Sequence, residues 1–375
     1  MATEQATPAA SETGTGGIAR GERLVSLDAF RGFTMFWIVG GHALVTAFQA
    51  LGHNPVIDTI VYHLSHTPWQ GLRYYDLIWP CFMLMVGASI PFALAKRSAT
   101  ATGRKMTIRA VRRAVVLFLL GSLRTSVGSN SPMLIELSSA LQPIAVAYLA
   151  AFFLARASVR VQAATGAAIL AAYALLLAFV PAPGIPAGSY EKGANLVLFV
   201  DLKVLGRAHQ EGWGTVLSTL PTISTTILGL LIGGLLMSRR SQRRKMAVIA
   251  LTGIGAVALG LALDPVVPVV MKLWTASYGL LSAGWACLLF LLFYGIIDVL
   301  GFRKWALPLV VIGVNALAVY MGRTLVPLTR IVGIFTADAA RELGTAGPMF
   351  RALAVLVVEW LILYWMYKRK IFLRA

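Results

Sequence analysis

The feature that most restricts this chain is a succession of long apolar runs. A hydrocarbon core about 30 Å thick is crossed by about 20 apolar helical residues. Ten runs of that kind fall near residues 29–50, 74–95, 110–127, 136–155, 161–181, 216–237, 246–264, 273–298, 305–327 and 348–367. Backbone groups inside lipid must be satisfied within their own segment, so such runs are helices. Composition agrees: 58% of the 375 residues are hydrophobic and 13% are charged, too few polar groups to clothe a soluble domain. The expected fold is an all-α polytopic membrane protein of about ten transmembrane helices, or eleven if one segment is split.

A formal charge of +18 would raise the question of nucleic acid in a soluble protein. Here Lys and Arg must first be weighed against topology, because cytoplasmic loops carry the excess of both. Alternating ten spans from a cytoplasmic N-terminus puts roughly two-thirds of the 33 Lys and Arg inside, as that rule requires. They include Arg112 and Arg113, the stretch "RRSQRRK" from Arg239 and Arg240 to Lys245, and the C-terminal tail. Both termini are then cytoplasmic, whereas loop 51–73 and the connection 182–215 lie outside. Residues 1–22 have no apolar core and read as a disordered cytoplasmic tail without a signal peptide, followed by one transmembrane domain, 23–375, without internal repeats. Cys81 and Cys287 lie within apolar runs, where a thiol is a small hydrophobe, so neither a disulfide nor a metal site is expected.

An ionisable side chain in the bilayer costs at least ~2.5 to 3.5 kcal/mol unless paired or hydrated, so the few polar groups at the spans carry most of the functional information. Asp28 and Arg31 sit three apart in "SLDAFRGF", a helical spacing that lets the pair neutralise itself or offers Arg31 to an anionic cytosolic ligand. In "VGGHAL", Gly40 and Gly41 admit a close neighbour and His42 stands beside that narrow place. The stretch "LSHTPWQGLRYYDLIWP" brings His66, Trp69, Arg73 and Asp76 to the edge of the second span. Tyr74, Tyr75, Trp79 and Trp69 fit an interfacial aromatic belt, but His66 and Asp76 offer a base and a possible partner carboxylate. Glu211 opens "EGWGTVLSTLP", with Pro221 inside the sixth span. Asn315 is buried in "GVNALAVYMGR", and Trp274 stands near the outer interface in "KLWTASYGLLSAGW". Helix glue accounts for an intramembrane Asn and membrane anchoring for Trp274 as readily as a site does.

Five segments taken in order, "RLVSLDAFRGFTMFWIVGGHAL", "WQGLRYYDLIWPCFMLMVGASIPFALAKR", "EGWGTVLSTLPTISTTILGLLIG", "KLWTASYGLLSAGWACLLFLLFYGIID" and "GVNALAVYMGR", resemble bacterial relatives of heparan-alpha-glucosaminide N-acetyltransferase, a family of transmembrane acyltransferases. The resemblance implies that acetyl-CoA is the co-substrate and that an acetyl group crosses to an amine on the far side of the membrane. It implies a catalytic role for His66, and one for the position of His42, where relatives carry Asn or Asp. Two departures concern the substrate: "HQEG" keeps Glu211 but replaces a preceding Asp-Pro, and Pro143 follows Leu141 and Gln142 where many relatives have Arg.

On this reading His66 deprotonates the acceptor or accepts the acyl group itself, and Asp76 or Glu211 orients its ring. His42 stands beside them, Asn315 donates to the developing oxyanion or the substrate, and Trp69, Glu211, Asn315 and Trp274 form the acceptor site. Arg31, Arg112, Arg113, Arg239 and Arg240 are the candidates for holding the CoA nucleotide at the cytosolic rim. The expected partners are acyl-CoA, a sugar or glycan acceptor, the lipid bilayer and, for a homodimer, a second copy of the chain. The resemblance places the protein in a cell (inner) membrane; nucleic acid and metal are not expected partners. A transporter or glycan/lipid translocase, with Asp28, Arg31, His42 and Asn315 along its path, is the alternative.

Overall fold

The computed structural model describes residues 24–98, 103–209 and 212–373; the N-terminal tail and Glu211 lie outside the described residues. The described residues form fourteen α-helices. In chain order they are α1 Val25–Ala50, α2 Pro55–Leu64, α3 Ile78–Ser98, α4 Gly103–Ser129, α5 Leu141–Leu154, α6 Val159–Phe179, α7 Leu196–Leu205, α8 Thr219–Met237, α9 Gln242–Leu263, α10 Ala276–Tyr294, α11 Leu307–Val314, α12 Ala316–Leu325, α13 Leu328–Glu342 and α14 Gly347–Lys368. A two-residue hairpin, Tyr190–Glu191 with Ala194–Asn195, is the one strand pairing longer than a single bridge among the described residues.

Among the described residues, seven helical segments are long and apolar enough to cross a membrane, based on α1, α3, α6, α8, α9, α10 and α14. The pair α11 and α12 makes an eighth if it counts as one span, bent by 58°. The break falls at Asn315, whose backbone leaves helical geometry between the two. The remaining two expected spans differ for separate reasons. The 14 residues of α5 extend about 21 Å at 1.5 Å per residue, short of a core of about 30 Å. Helix α4 is long enough at 27 residues, but Arg104, Lys105, Arg109, Arg112, Arg113 and Arg124 lower its hydropathy. Pro221, expected inside the sixth span, falls in the first turn of α8, where a missing N–H costs no helical hydrogen bond.

Helices α3 and α8 approach closely because Gly87 faces the Thr226 carbonyl and Gly229 the Leu84 carbonyl, places that a Cβ would fill. Small residues allow this backbone contact in lipid, where helices gain little from burying apolar surface against one another. Contacts between connections define the two ends of the bundle. At one end the Trp69 indole donates to the Tyr190 carbonyl, Gly71 N donates to the Val269 carbonyl, and Arg207 pairs with Glu136. Loops 51–73, 130–140, 180–218 and 264–275 therefore meet. At the other end Ser26 N donates to the Asp298 carboxylate, 3.1 Å away.

Candidate functional site

His66 and Asp76 meet through a turn that neither residue could form alone. After α2 the chain follows an irregular, bent path over 65–73 and then tightens into the 3-10 turn Tyr74–Leu77, where the Asp76 carboxylate accepts from Arg73 N at 2.9 Å. The same carboxylate accepts from the Thr67 hydroxyl at 2.6 Å and, through Oδ1, pairs with His66 Nδ1 at 2.8 Å. Its backbone is held from a distant part of the chain, because the buried Tyr278 hydroxyl of α10 donates to the Asp76 carbonyl at 2.7 Å. The Asp76 side chain is 0% exposed and that of His66 40%. A carboxylate already accepting N–H and O–H donors holds the imidazole proton on Nδ1, leaving Nε2 with its lone pair. The arrangement is an imidazole whose tautomer is set by a buried, satisfied carboxylate.

The ring of His66 is also wedged by aromatics. Tyr75 lies 4.7 Å from it between centroids and Trp213 5.4 Å, the latter edge-on at 81°. Tyr75 rests on α1 at Gly41, where a Cβ would meet the phenol ring, and its hydroxyl donates to the Trp37 carbonyl at 3.1 Å. Arg73 lies 4.1 Å over Tyr62 and donates to the His66 carbonyl, so its role is to pin the loop.

Several residues expected at the site are engaged in other contacts or stand at its margin. Asn315 has both ends of its amide taken by the C-terminal segment: Nδ2 donates to the Ile371 carbonyl at 3.1 Å and Oδ1 accepts from Leu373 N at 3.2 Å. It is glue for a broken helix. Trp274 is 1% exposed and stacks edge-on behind Trp79 at 5.0 Å, so it offers no surface to an acceptor. Trp69 spends its indole N–H on Tyr190 and ties two loops together. His42 is exposed on α1, one residue beyond the Gly41–Tyr75 contact.

Of the five arginines expected to hold a nucleotide, Arg31 is paired with Asp28 at 3.1 Å, whereas Arg112, Arg239 and Arg240 are exposed. Arg113 differs, lying 4.7 Å over Tyr148 beside an apolar recess lined by Ile90, Leu94, Met106, Tyr148 and Phe152. Arg239 and Arg240 follow α8, whose 19 residues separate them from the His66 end by about 28 Å.

Three groups near His66 give little signal in sequence. Thr67 and Tyr75 look like loop and belt residues, and Trp213 is hidden in a segment where the acidic Glu211 draws attention. The Trp213 loop is fastened by Asp201 of α7, whose carboxylate accepts from Thr215 N at 2.9 Å and Val216 N at 3.0 Å. Burial pushes the Asp201 carboxyl above the usual carboxylate range, against these two donors. No group of three or more metal-ligating side chains occurs among the described residues.

Fold and site together define a class: a polytopic helical membrane protein with a carboxylate-oriented histidine at one end of its bundle. Residues 23–181 match the family model described as a domain of unknown function, DUF5009. The chain is a distant homologue of heparan-alpha-glucosaminide N-acetyltransferase of Mus musculus, 23% identical over 413 residues that cover 93% of this chain. It spans 60% of the length of that relative.

Proposed function

We propose that this protein is an integral-membrane acyltransferase that moves an acetyl group from cytosolic acetyl-CoA to an amine or hydroxyl of a sugar or glycan on the opposite side of the membrane. The observation that carries the reading is the His66–Asp76 pair, a base with a fixed tautomer, in a chain similar to an N-acetyltransferase. Nε2 of His66 takes the proton of the attacking amine, the nitrogen bonds to the thioester carbonyl carbon, the C–S bond breaks, and CoA leaves as thiolate to be protonated. The Thr67 hydroxyl and Arg73 N hold the Asp76 carboxylate in place through the cycle.

The topology follows from charge. The loops that meet around His66 hold fewer Lys and Arg than the opposite end, which by the positive-inside rule supports a topology with His66 outside and both termini in the cytoplasm. Helices α4 and α5 are consecutive, so counting both as spans or neither leaves every other loop on its side. Arg113, beside its recess, is the arginine best placed to meet a nucleotide phosphate on the way in.

The test is transfer of label from acetyl-CoA to a hexosamine by purified protein, with His66→Ala alongside. Transfer by the native chain and its loss in the variant support the reading. No transfer and no CoA release would remove it, and binding without turnover would favour the translocase alternative.

A further inference from the structure

Trp213 stands on a support that ordinary packing does not require. It lies between Gly212, whose φ of +79° is open to glycine at little cost, and Gly214, where a Cβ would run into Val197. Gly214 N donates to the Lys272 carbonyl at 2.8 Å, and the next two N–H groups are taken by the Asp201 carboxylate, itself 1% exposed. Five residues from two connections thus fix one indole. An anchoring Trp of an aromatic belt would face lipid. This one turns its ring toward His66 at 5.4 Å, Trp79 at 6.3 Å and the Lys272 ammonium at 5.8 Å, and remains half-buried.

We infer that Trp213 is the acceptor platform: the indole on which the apolar C–H face of a hexose ring stacks, with the sugar's nucleophile delivered to His66. The inference rests on the acyltransferase reading above, and it narrows the acceptor to molecules with a pyranose face. An indole suits that task because it is large and rigid, losing little conformational freedom when a ligand stacks on it. Its contact with the His66 ring sets the distance between the stacked sugar and the base. Trp69 and Trp274, the indoles that sequence alone would have chosen, are committed to structural contacts.

Two probes separate this role from simple support of His66: D-glucosamine, which has the ring, and ethanolamine, an amino alcohol without one. In Trp213→Ala the KM for glucosamine is expected to rise about 10-fold, within the range of a lost aromatic contact plus buried area. The KM values for ethanolamine and acetyl-CoA should stay within twofold, and Trp213→Phe should recover most of the loss. An equal rise in KM for both amines, or none for either, would overturn the assignment, whereas a fall in kcat common to both reports only a loosened His66 ring. Saturation-transfer NMR of glucosamine on the detergent-solubilised protein reads binding without turnover. Sugar-proton signals in the native chain that vanish in Trp213→Ala support the platform even if no acetyl transfer occurs, in which case the acyltransferase reading alone fails. Absence of those signals in the native chain overturns the platform.

Discussion

Replacing Asp76 by Asn changes one atom and, on this structure, reverses the proton on His66. The carboxylate uses Oδ2 for the Thr67 hydroxyl at 2.6 Å and Arg73 N at 2.9 Å, and Oδ1 for His66 Nδ1 at 2.8 Å. An Asn side chain must put its NH2 on one of these two sides. Placed toward Arg73, it would oppose a backbone N–H and lose that bond, worth about 1 kcal/mol or more, while leaving a buried donor unsatisfied. Placed toward His66, it forfeits only the Thr67 N contact at 3.3 Å on that oxygen and donates to Nδ1. The second placement wins, and the imidazole proton moves to Nε2, where the base is needed.

General base catalysis contributes about 10²- to 10⁴-fold, so kcat should fall by about 10²- to 10³-fold, or about 2.7–4.1 kcal/mol in the barrier. Because Asn fills the same volume, the thermal midpoint should change little. Asp76→Ala, by contrast, strands Thr67 and Arg73 donors and should lower stability by about 1–3 kcal/mol. The assay is CoA thiol release with glucosamine as acceptor, with thermal melts in the same detergent. An Asp76→Asn protein that melts like the native one and keeps kcat within threefold would refute the tautomer argument.

Other perturbations separate site from scaffold. Gly41→Val should push Tyr75 off α1 and cut kcat about 10-fold or more by freeing the His66 ring, at a stability cost of about 1–3 kcal/mol for overpacking, read by the same two assays. Asn315→Leu should lower stability by about 1–3 kcal/mol because the Ile371 and Leu373 backbone groups lose their partners, whereas activity per folded molecule stays within twofold; a selective loss of activity would return Asn315 to the site. Arg113→Ala should raise the KM for acetyl-CoA about 5- to 10-fold, as loss of one charge-assisted phosphate contact implies, and Arg240→Ala should change it less than twofold. Arg323 donates to Glu359 at 2.9 Å and to the Val39 carbonyl, so Arg323→Ala leaves a buried carboxylate alone and should destabilise by about 3 kcal/mol, whereas the double change Arg323→Met with Glu359→Leu should recover most of that loss in melts.

Apolar period and turn residues made much of the scaffold readable. Helix α2 lies inside the stretch that hydropathy leaves as loop 51–73, and the Asn54 side chain caps it by accepting from Val56 N and Ile57 N. Ser158 and Ser241 start α6 and α9 in the same way. Spans defined by hydropathy alone become uncertain where arginines share the helix, as in α4, or where the helix is short, as in α5. At the site, sequence left Asp76 and Glu211 as equal candidates to orient His66. The pairing with Asp76 depends on a 3-10 turn and a Thr67 hydroxyl that no periodicity encodes. Asn315, Trp69 and Trp274 have the right chemistry, but side-chain direction is a tertiary property. Trp213 was missed for the converse reason: its importance lies in the two glycines and the Asp201 carboxylate that hold it, 12 residues away in sequence.

The sharpest measurement uses vesicles reconstituted in one orientation, with labelled acetyl-CoA sealed on the side of the Arg239 end and glucosamine supplied only on the side of His66. The native chain should label the glucosamine, and His66→Ala should lose that labelling about 10²-fold or more. Label appearing only when both substrates share a side, or transfer that persists unchanged in His66→Ala, would contradict a transmembrane acetyl transfer centred on His66.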